Sequence, residues 1–378
     1  MAQPILQFGT GRFLQAHVDL FVSQALACGQ ALGGIAVVQS TASRQSSARL
    51  AALALGGGYP VEIRGLHRGE AMAEYVHVDV VREAWQAVRD WQHLLDALAT
   101  DVQVIVSNTA ESGYDLDEAD GPQLLSADAG APESFPAKLL VLLQHRWRRQ
   151  PQAPLSIYPC ELVSRNGDVL RERVLALGQA WGAPVALLGW IREHCVWLNS
   201  LVDRIVAEPL YPVGAVTEPY ALWAIERQER MVLPCRHPAI VLTDDLAPFE
   251  RLKLMLLNLG HTYLAERWLV DARDPAETVR DAMVDVQLRS DLEAVWRDEV
   301  LPVFDALGEG ARARDYLDGL RDRLLNPFLQ HRLADIARDH ALKKVRRIAP
   351  VVALAREHRL GLPQPRLGAA LASHAGGL

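Results

Sequence analysis

The rhythm of apolar and polar positions changes once along this chain. Between residues 5 and 243, short runs of four or five apolar residues alternate with longer stretches whose apolar positions recur every three or four residues. Ile5-Leu-Gln-Phe8 predicts a strand, Gly9-Thr10-Gly11 a tight turn, and 12–28 a helix through Phe13, Ala16, Leu20, Phe21 and Ala25. Gly33-Gly34 then leads into a second strand over 35–39. Further strands are predicted over 102–106, 155–158, 184–188 and 239–243, with helices over 137–147 and 169–181. The order strand, glycine turn, helix, strand opens a parallel nucleotide-binding sheet. The fold class is therefore α/β, with a Rossmann-type N-terminal domain. Ligands of such sheets bind beyond the carboxyl ends of the strands, which directs attention to Ser107–Tyr114 and to Pro159-Cys160-Glu161.

Beyond 243 the alternation of strands disappears. Helical spacing dominates over 249–268, 275–288, 292–307, 311–325 and 328–358, and Pro248 suits a helix start. A boundary near Asp245 divides a dinucleotide-binding domain, 1–245, from a mostly helical substrate and catalytic domain, 246–378. The tail over 360–378, rich in Gly, Ala and Pro, is expected to be loosely held.

One helical segment combines apolar surroundings with polar chemistry: Glu250-Arg-Leu-Lys253-Leu-Met-Leu-Leu-Asn258-Leu-Gly-His261. At about 100° per residue, with Lys253 at zero, Glu250 falls near 60°, His261 near 80° and Asn258 near 140°. All four share one arc of a helix that is otherwise apolar. A buried lysine must be paired or give up its proton, which suits a base; an asparagine amide can hold a carbonyl or alkoxide oxygen. The same residues also fit a helix whose lysine stem reaches out to water.

Composition narrows the setting. Charged residues make up 22% of the chain and the net charge is −7, so there is no basic footprint for nucleic acid. No apolar run reaches the length of a membrane span, and the N-terminus lacks the pattern of a secretory signal. Cys28, Cys160, Cys195 and Cys235 form no Cys-x-x-Cys pair and read as reduced thiols. These features lead to a cytoplasmic protein with a small-molecule substrate, monomeric or homodimeric, without metal and without nucleic-acid or membrane partners.

The other candidates are individually weaker. Gly9-x-Gly11 would let a backbone approach a pyrophosphate, but Leu14 stands where the fingerprint's third glycine belongs, and a plain strand-to-helix turn explains it as well. Gln39 ends the second strand where an acidic residue would favour NAD. Ser40, Ser43 and Arg44 follow, and an arginine there would serve NADP, so both cofactors stay open. Asp203-Arg204 in an apolar stretch fits a structural ion pair as well as a site.

Taken in order, these segments resemble the long-chain polyol-specific dehydrogenases, a family that includes mannitol dehydrogenase, fructuronate reductase and tagaturonate reductase. The likeness runs from Gln7–His17 through Ser107–Tyr114 and Leu201–Ile205 to Lys253-x4-Asn258-x2-His261, then Asn326–His331 and the Lys343 region. It implies a nicotinamide cofactor (NAD, with NADP possible), no metal, and an active site between the domains. By the resemblance, Lys253 is the general acid/base, Asn258 binds the reacting oxygen and His261 orients substrate. It places Asp203 and Glu250 in the substrate pocket, and Gly9, Gly11, Phe13, Gln39, Ser40, Asn108, Thr109 and Glu111 around the cofactor. Arg338 and Lys343 are the expected cations for a substrate carboxylate. Mannitol-type members carry Cys-Asp-Asn where this chain has Cys160-Glu161-Leu162, and Leu162 donates no hydrogen bond. The form Pro-Cys-Glu-Leu-Val-x-x-Asn-Gly is similar to that of tagaturonate reductase, which implies D-altronate and D-tagaturonate as the substrate pair. The alternatives are a mannitol or arabinitol 2-dehydrogenase, or a cofactor-binding sensor without turnover.

Overall fold

The computed structural model describes residues 3–40, 44–109, 111–126 and 128–373. It contains two compact units. The first comprises Met1–Glu62, Tyr75–Thr217 and Ala221–Leu246; the second comprises Ile63–Glu74, Glu218–Tyr220 and Ala247–Leu378. The second unit thus takes in two short segments that precede Asp245, which a single cut there leaves out.

The strands in chain order are β1 (Ile5–Phe8), β2 (Ile35–Gln39), β3 (Tyr59–His67), β4 (Glu70–Val78), β5 (Val81–Gln86), β6 (Val104–Ser107) and β7 (Leu155–Pro159). They continue with β8 (Cys195–Trp197), β9 (Ser200–Asp203), β10 (Val206–Pro209), β11 (Ala215–Thr217), β12 (Leu222–Glu226) and β13 (Ile240–Thr243). Six of them build a sheet in the order β5-β2-β1-β6-β7-β8, every neighbouring pair parallel. β1, β2, β6 and β7 are buried at every position, as a sheet covered on both faces requires. The chain leaves β1 for β2 on one side and reaches β6 on the other, so the order reverses at β1. Register then aligns the strand ends: Phe8 lies opposite Val38 and Ser107, and Ser107 opposite Pro159. The loops that begin at Gly9, Asn108 and Cys160 consequently leave the sheet at one edge, the place where open α/β sheets bind ligands.

Three expectations are corrected. The apolar run 184–188 is the start of a helix, Val185–His194, not a strand. Leu187, Leu188, Trp190 and Ile191 are buried while Val185 is exposed, a helical spacing that five residues are too few to reveal. The edge strand is β8 instead. The segment 239–243 is a strand, but it belongs to a separate three-stranded sheet, β13-β12-β9. The tail is not loose: Pro365–Ala372 is a helix whose Leu367 is fully buried in the core of the second unit. Residues 374–378 lie outside the described residues.

The second unit is helical from Ala247 onward and has its own apolar core, which includes Leu256, Leu264, Leu292, Trp296, Phe304, Ile348 and Val351. Where long helices are read over 275–288 and 328–358, the structure has shorter pieces, among them Val279–Val284, Leu333–Ile336, His340–Arg347 and Ala349–Glu357. Among the described residues no helix is long and apolar enough to cross a membrane.

Candidate active site

In the first unit the glycine turn is built from two glycines with different duties. Gly9 has φ 124°, and a Cβ there would lie 2.8 Å from the Asn108 carbonyl and 3.2 Å from Leu14 Cδ1. Its N–H donates to Val38 at 3.0 Å. Only glycine fits this conformation. Gly11 has an ordinary φ of −69°, and a Cβ there would meet nothing within 4 Å. The backbone at Gly11 therefore faces open space ahead of helix Arg12–Gln15. An open, side-chain-free backbone beside a strand end fits the close approach of a dinucleotide pyrophosphate. Phe13 is half-buried and stacks on His17 at 4.8 Å. Gln39 is buried at the end of β2 and donates to Ser47 Oγ at 3.4 Å; Ser40, just beyond, is half-buried. Ser43 lies outside the described residues, as do the side chains of Arg44 and Glu111; the backbone of Glu111 opens the short 3-10 helix Glu111–Tyr114.

Beside this turn, Glu161 gathers the loop after β6 onto the end of β7. It is buried, and its carboxylate accepts from Thr109 N (2.9 Å), Thr109 Oγ1 (3.0 Å), Ser107 Oγ (3.1 Å) and the Tyr114 hydroxyl (3.1 Å). Burial raises its pKa, opposed by those donors. Asn108 gives its amide to the Cys160 carbonyl at 2.7 Å. The side-chain donors of Asn108 and Thr109 are thus taken up within the protein, and these two residues shape the loop. Asn166 is saturated in the same way, donating to Pro159, Glu161 and Ser200 carbonyls and accepting from Gly167 and Ser200. Leu162, by contrast, is exposed. Asp203 is buried at the end of β9, opposite Leu222. Near it, Arg204 donates to the Ala16 carbonyl at 2.7 Å, and His17 is fully buried, with its pKa driven down to about 3 by desolvation.

In the second unit, Ala247–Leu252, Lys253–Asn258 and Leu259–Val270 follow without a break, and the middle piece is a π-helix. Such a turn closes i→i+5 hydrogen bonds and holds one more residue than an α-turn. Discounting that residue moves Asn258 from about 140° to about 40° of Lys253, and His261 to about −20°. The arc that α-helical geometry spreads over about 140° is thereby narrowed, and the two ends of Lys253-x4-Asn258 come within about 40° of each other. Lys253 and Asn258 are half-buried, as is Glu250, while His261 is 7% exposed. The wide turn is anchored by Trp296, whose Nε1 donates to the Leu256 carbonyl at 3.3 Å. A Cβ on Gly260 would lie 2.9 Å from Trp296 Cζ2, so glycine there lets the indole pack against the helix.

His261 meets His331 edge to face at 4.9 Å. Desolvation first, then the neighbouring His331, and after it the positive charges of Arg323 and Arg347, hold the His261 pKa well below its usual value. His331 is lowered as well, chiefly by desolvation. The shifts favour the neutral form of both rings, in which each donates from one nitrogen. Arg323 is neutralised by Glu218 through two bonds of 2.9 and 3.0 Å, and lies over the Tyr220 ring at 4.1 Å. Arg338 does not join this group: its side chain is 77% exposed and pairs with Asp335 at 2.7 Å. Lys343 donates to the Ile336 carbonyl at 2.8 Å. Arg347, not singled out from the sequence, lies closer, its Nη1 donating to Thr262 Oγ1 at 3.3 Å. Its i+4 spacing from Lys343 is the signal that would have found it. Among the described residues no three His, Cys, Asp or Glu side chains form a metal-binding group.

A parallel sheet with a glycine turn at its order reversal, joined to a helical region carrying Lys-x4-Asn-x2-His, defines a class of oxidoreductase. Family models extend the match to nearly the whole chain: the mannitol dehydrogenase Rossmann domain over residues 3–233 and the mannitol dehydrogenase C-terminal domain over 245–374. The chain belongs to the mannitol dehydrogenase family and is an NAD-dependent dehydrogenase acting on CH–OH groups. Its relatives include the altronate oxidoreductase of Yersinia enterocolitica, 32% identical over 98% of this chain and 78% of its own length. That of Bacillus subtilis is 29% identical over 96% and 77%. In fold it is similar to a substrate-free D-sorbitol dehydrogenase, with TM-score 0.79 and 20% identity over 98% of this chain and 79% of the other. Mannitol 2-dehydrogenase of Pseudomonas fluorescens, solved as a ternary complex with NAD and D-mannitol, gives 0.72 and 21% over the same shares.

Proposed function

We propose that the chain interconverts D-altronate and D-tagaturonate, with Lys253 as general acid/base. The observation that carries the chemistry is the π-turn over Lys253–Asn258, which sets an amine and an amide on one face beside a neutral imidazole. The substrate pair is supported by the altronate oxidoreductases among its relatives and by the cations that gather near His261. NAD would supply the hydride acceptor for the carbon bearing the alcohol. Gly9 and Gly11 would admit its pyrophosphate, Phe13, Gln39 and Ser40 would flank it, and Asn108 and Thr109 shape the neighbouring loop. In the oxidative direction neutral Lys253 takes the hydroxyl proton and releases it to water. In reduction the protonated amine returns that proton to the keto oxygen. The Asn258 amide donates to this oxygen as negative charge develops on it. His261 donates a hydrogen bond that orients the substrate, and Glu250 of the second unit and Asp203 of the first are further substrate-binding candidates.

The test is turnover of D-altronate, D-mannitol and D-arabinitol, each with NAD and NADP, followed by nicotinamide absorbance. Altronate with NAD is expected to have the highest kcat/KM; mannitol or arabinitol leading would replace this substrate by an uncharged polyol. Lys253→Ala is expected to abolish turnover while NAD still binds by fluorescence titration. Unchanged chemistry in that variant would remove the lysine from its role.

A further inference from the structure

Five cationic side chains fall between residues 338 and 347, and their partners separate them. Arg338 is exposed and paired with Asp335. Lys344 is buried and paired with Glu266 at 3.2 Å, next to His340 at 2.8 Å from the same oxygen. Arg346 is exposed to water. Lys343 donates to the Ile336 carbonyl. Arg347 is half-buried, donates to Thr262 Oγ1 at 3.3 Å, and has no carboxylate partner among the described residues. Taking a guanidinium partly out of water without an anion is unfavourable, and a fixed fork of donors is suited to a carboxylate.

The position of Arg347 gives that vacancy a meaning. Thr262 Oγ1, which accepts from Arg347, itself donates to the Asn258 carbonyl at 2.9 Å. One hydroxyl therefore separates the guanidinium from the backbone of the residue assigned to the reacting oxygen. The charge of Arg347 acts on both His261 and His331, and Lys343 adds to the field at His331. The acid that acts on His331 is Asp335, already paired with Arg338. Arg323, the other cation acting on His261, is matched by Glu218.

We propose that Arg347, assisted by Lys343, is the anchor for the substrate carboxylate and the residue that selects a sugar acid over an uncharged polyol. This deepens the altronate reading and rests on it. Arg347 holds the acid end of the open chain while the carbon to be oxidised lies at Lys253 and Asn258. An uncharged polyol gains nothing from Arg347.

Arg347→Met and Arg347→Lys are compared with wild type, using D-altronate and D-mannitol with NAD. In Arg347→Met the KM for altronate is expected to rise about 30- to 300-fold, the range for removing one partner of a desolvated charge pair, with kcat changed less than about threefold. Arg347→Lys keeps the charge but not the fork, and recovers part of the loss. The KM for mannitol should move far less than that for altronate in either variant. Thermal unfolding of Arg347→Met is expected to match or exceed wild type, since an unmatched cation is removed. Should that variant fail to fold, Arg347→Lys and Lys343→Met carry the same comparison. If wild type uses altronate and these variants leave its KM within twofold, the anchor proposal is overturned alone. A wild type that oxidises polyols but no hexonate overturns the altronate reading and this proposal together.

Discussion

Glu161 and Arg347 are opposite cases. Glu161 is a buried acid of the first unit that, among the described residues, has no cation paired with it but is met by four neutral donors. Arg347 is a half-buried cation of the second unit that, among the described residues, has a single hydroxyl partner and no acid. Asp19, also buried in the first unit, is completed only in part: one oxygen accepts from the Tyr59 hydroxyl at 2.6 Å, the other has no partner among the described residues, and desolvation raises its pKa to about 7. Where the protein completes a polar group's bonds itself, that group holds the backbone in place. Where it leaves a charge uncompleted beside reactive side chains, it leaves room for a ligand. The contrast separates loop-shaping residues of the sheet from residues of the helices proposed to face substrate, and each side can be broken separately.

The largest expected effect belongs to Lys253. Lys253→Ala should lower kcat about 10²- to 10⁴-fold, the usual worth of a positioned acid/base, while the unfolding midpoint stays close to wild type. A large loss of stability instead would class the lysine with Glu161. Glu161→Ala should do the reverse and cost about 3–4 kcal/mol in urea unfolding, because four donors lose their acceptor. Glu161→Gln, which keeps an oxygen, should cost clearly less. Gly9→Ala should cost about 2–3 kcal/mol, since the left-handed backbone and the 2.8 Å approach to the Asn108 carbonyl both oppose a Cβ.

Asp19 gives a pH test of smaller size. Its pKa is higher in the folded chain than in the unfolded one, where it lies near 3.8, so between the two values the folded state binds more protons. Stability contributed at this position therefore falls as pH rises, at no more than about 1.4 kcal/mol per unit, and levels off above about pH 7. Asp19→Asn should gain on wild type by about 2 kcal/mol between pH 5.5 and 7, measured by urea unfolding at each pH. A constant gap would show that the buried carboxyl is already ionised at the lower pH. The smallest effect is at Gly11. Gly11→Ala should change stability by less than about 0.5 kcal/mol, because its Cβ meets nothing. The same change should weaken NAD binding about tenfold by filling the open backbone face. Were stability to fall as it does at Gly9, Gly11 would be part of the scaffold.

The sequence made some of this legible for definite reasons. β1, β2, β6 and β7 were readable because each is a short apolar run ended by glycine or polar residues. Lys253, Asn258 and His261 were readable because a lysine and a histidine are conspicuous in a leucine-rich helix. The hairpin of β3 and β4 was passed over, since much of β4 is exposed and its polar residues mask the strand pattern. The run 184–188 was too short to distinguish helix from strand. The π-turn left no mark in composition, because its extra residue is visible only in hydrogen-bond geometry. Arg338 was named and Arg347 passed over because charge is legible and pairing is not; which of them meets an acid depends on how the helix turns.

The Lys253–Asn258 turn gives the long helix one residue in reserve. Loss of one residue within it would let the rod continue as an ordinary α-helix, with His261 still beside His331 and Leu264 and Ala265 still facing the core they fill. A single-codon deletion in the flanking α-helical turns has no such reserve and would swing everything downstream by about 100°.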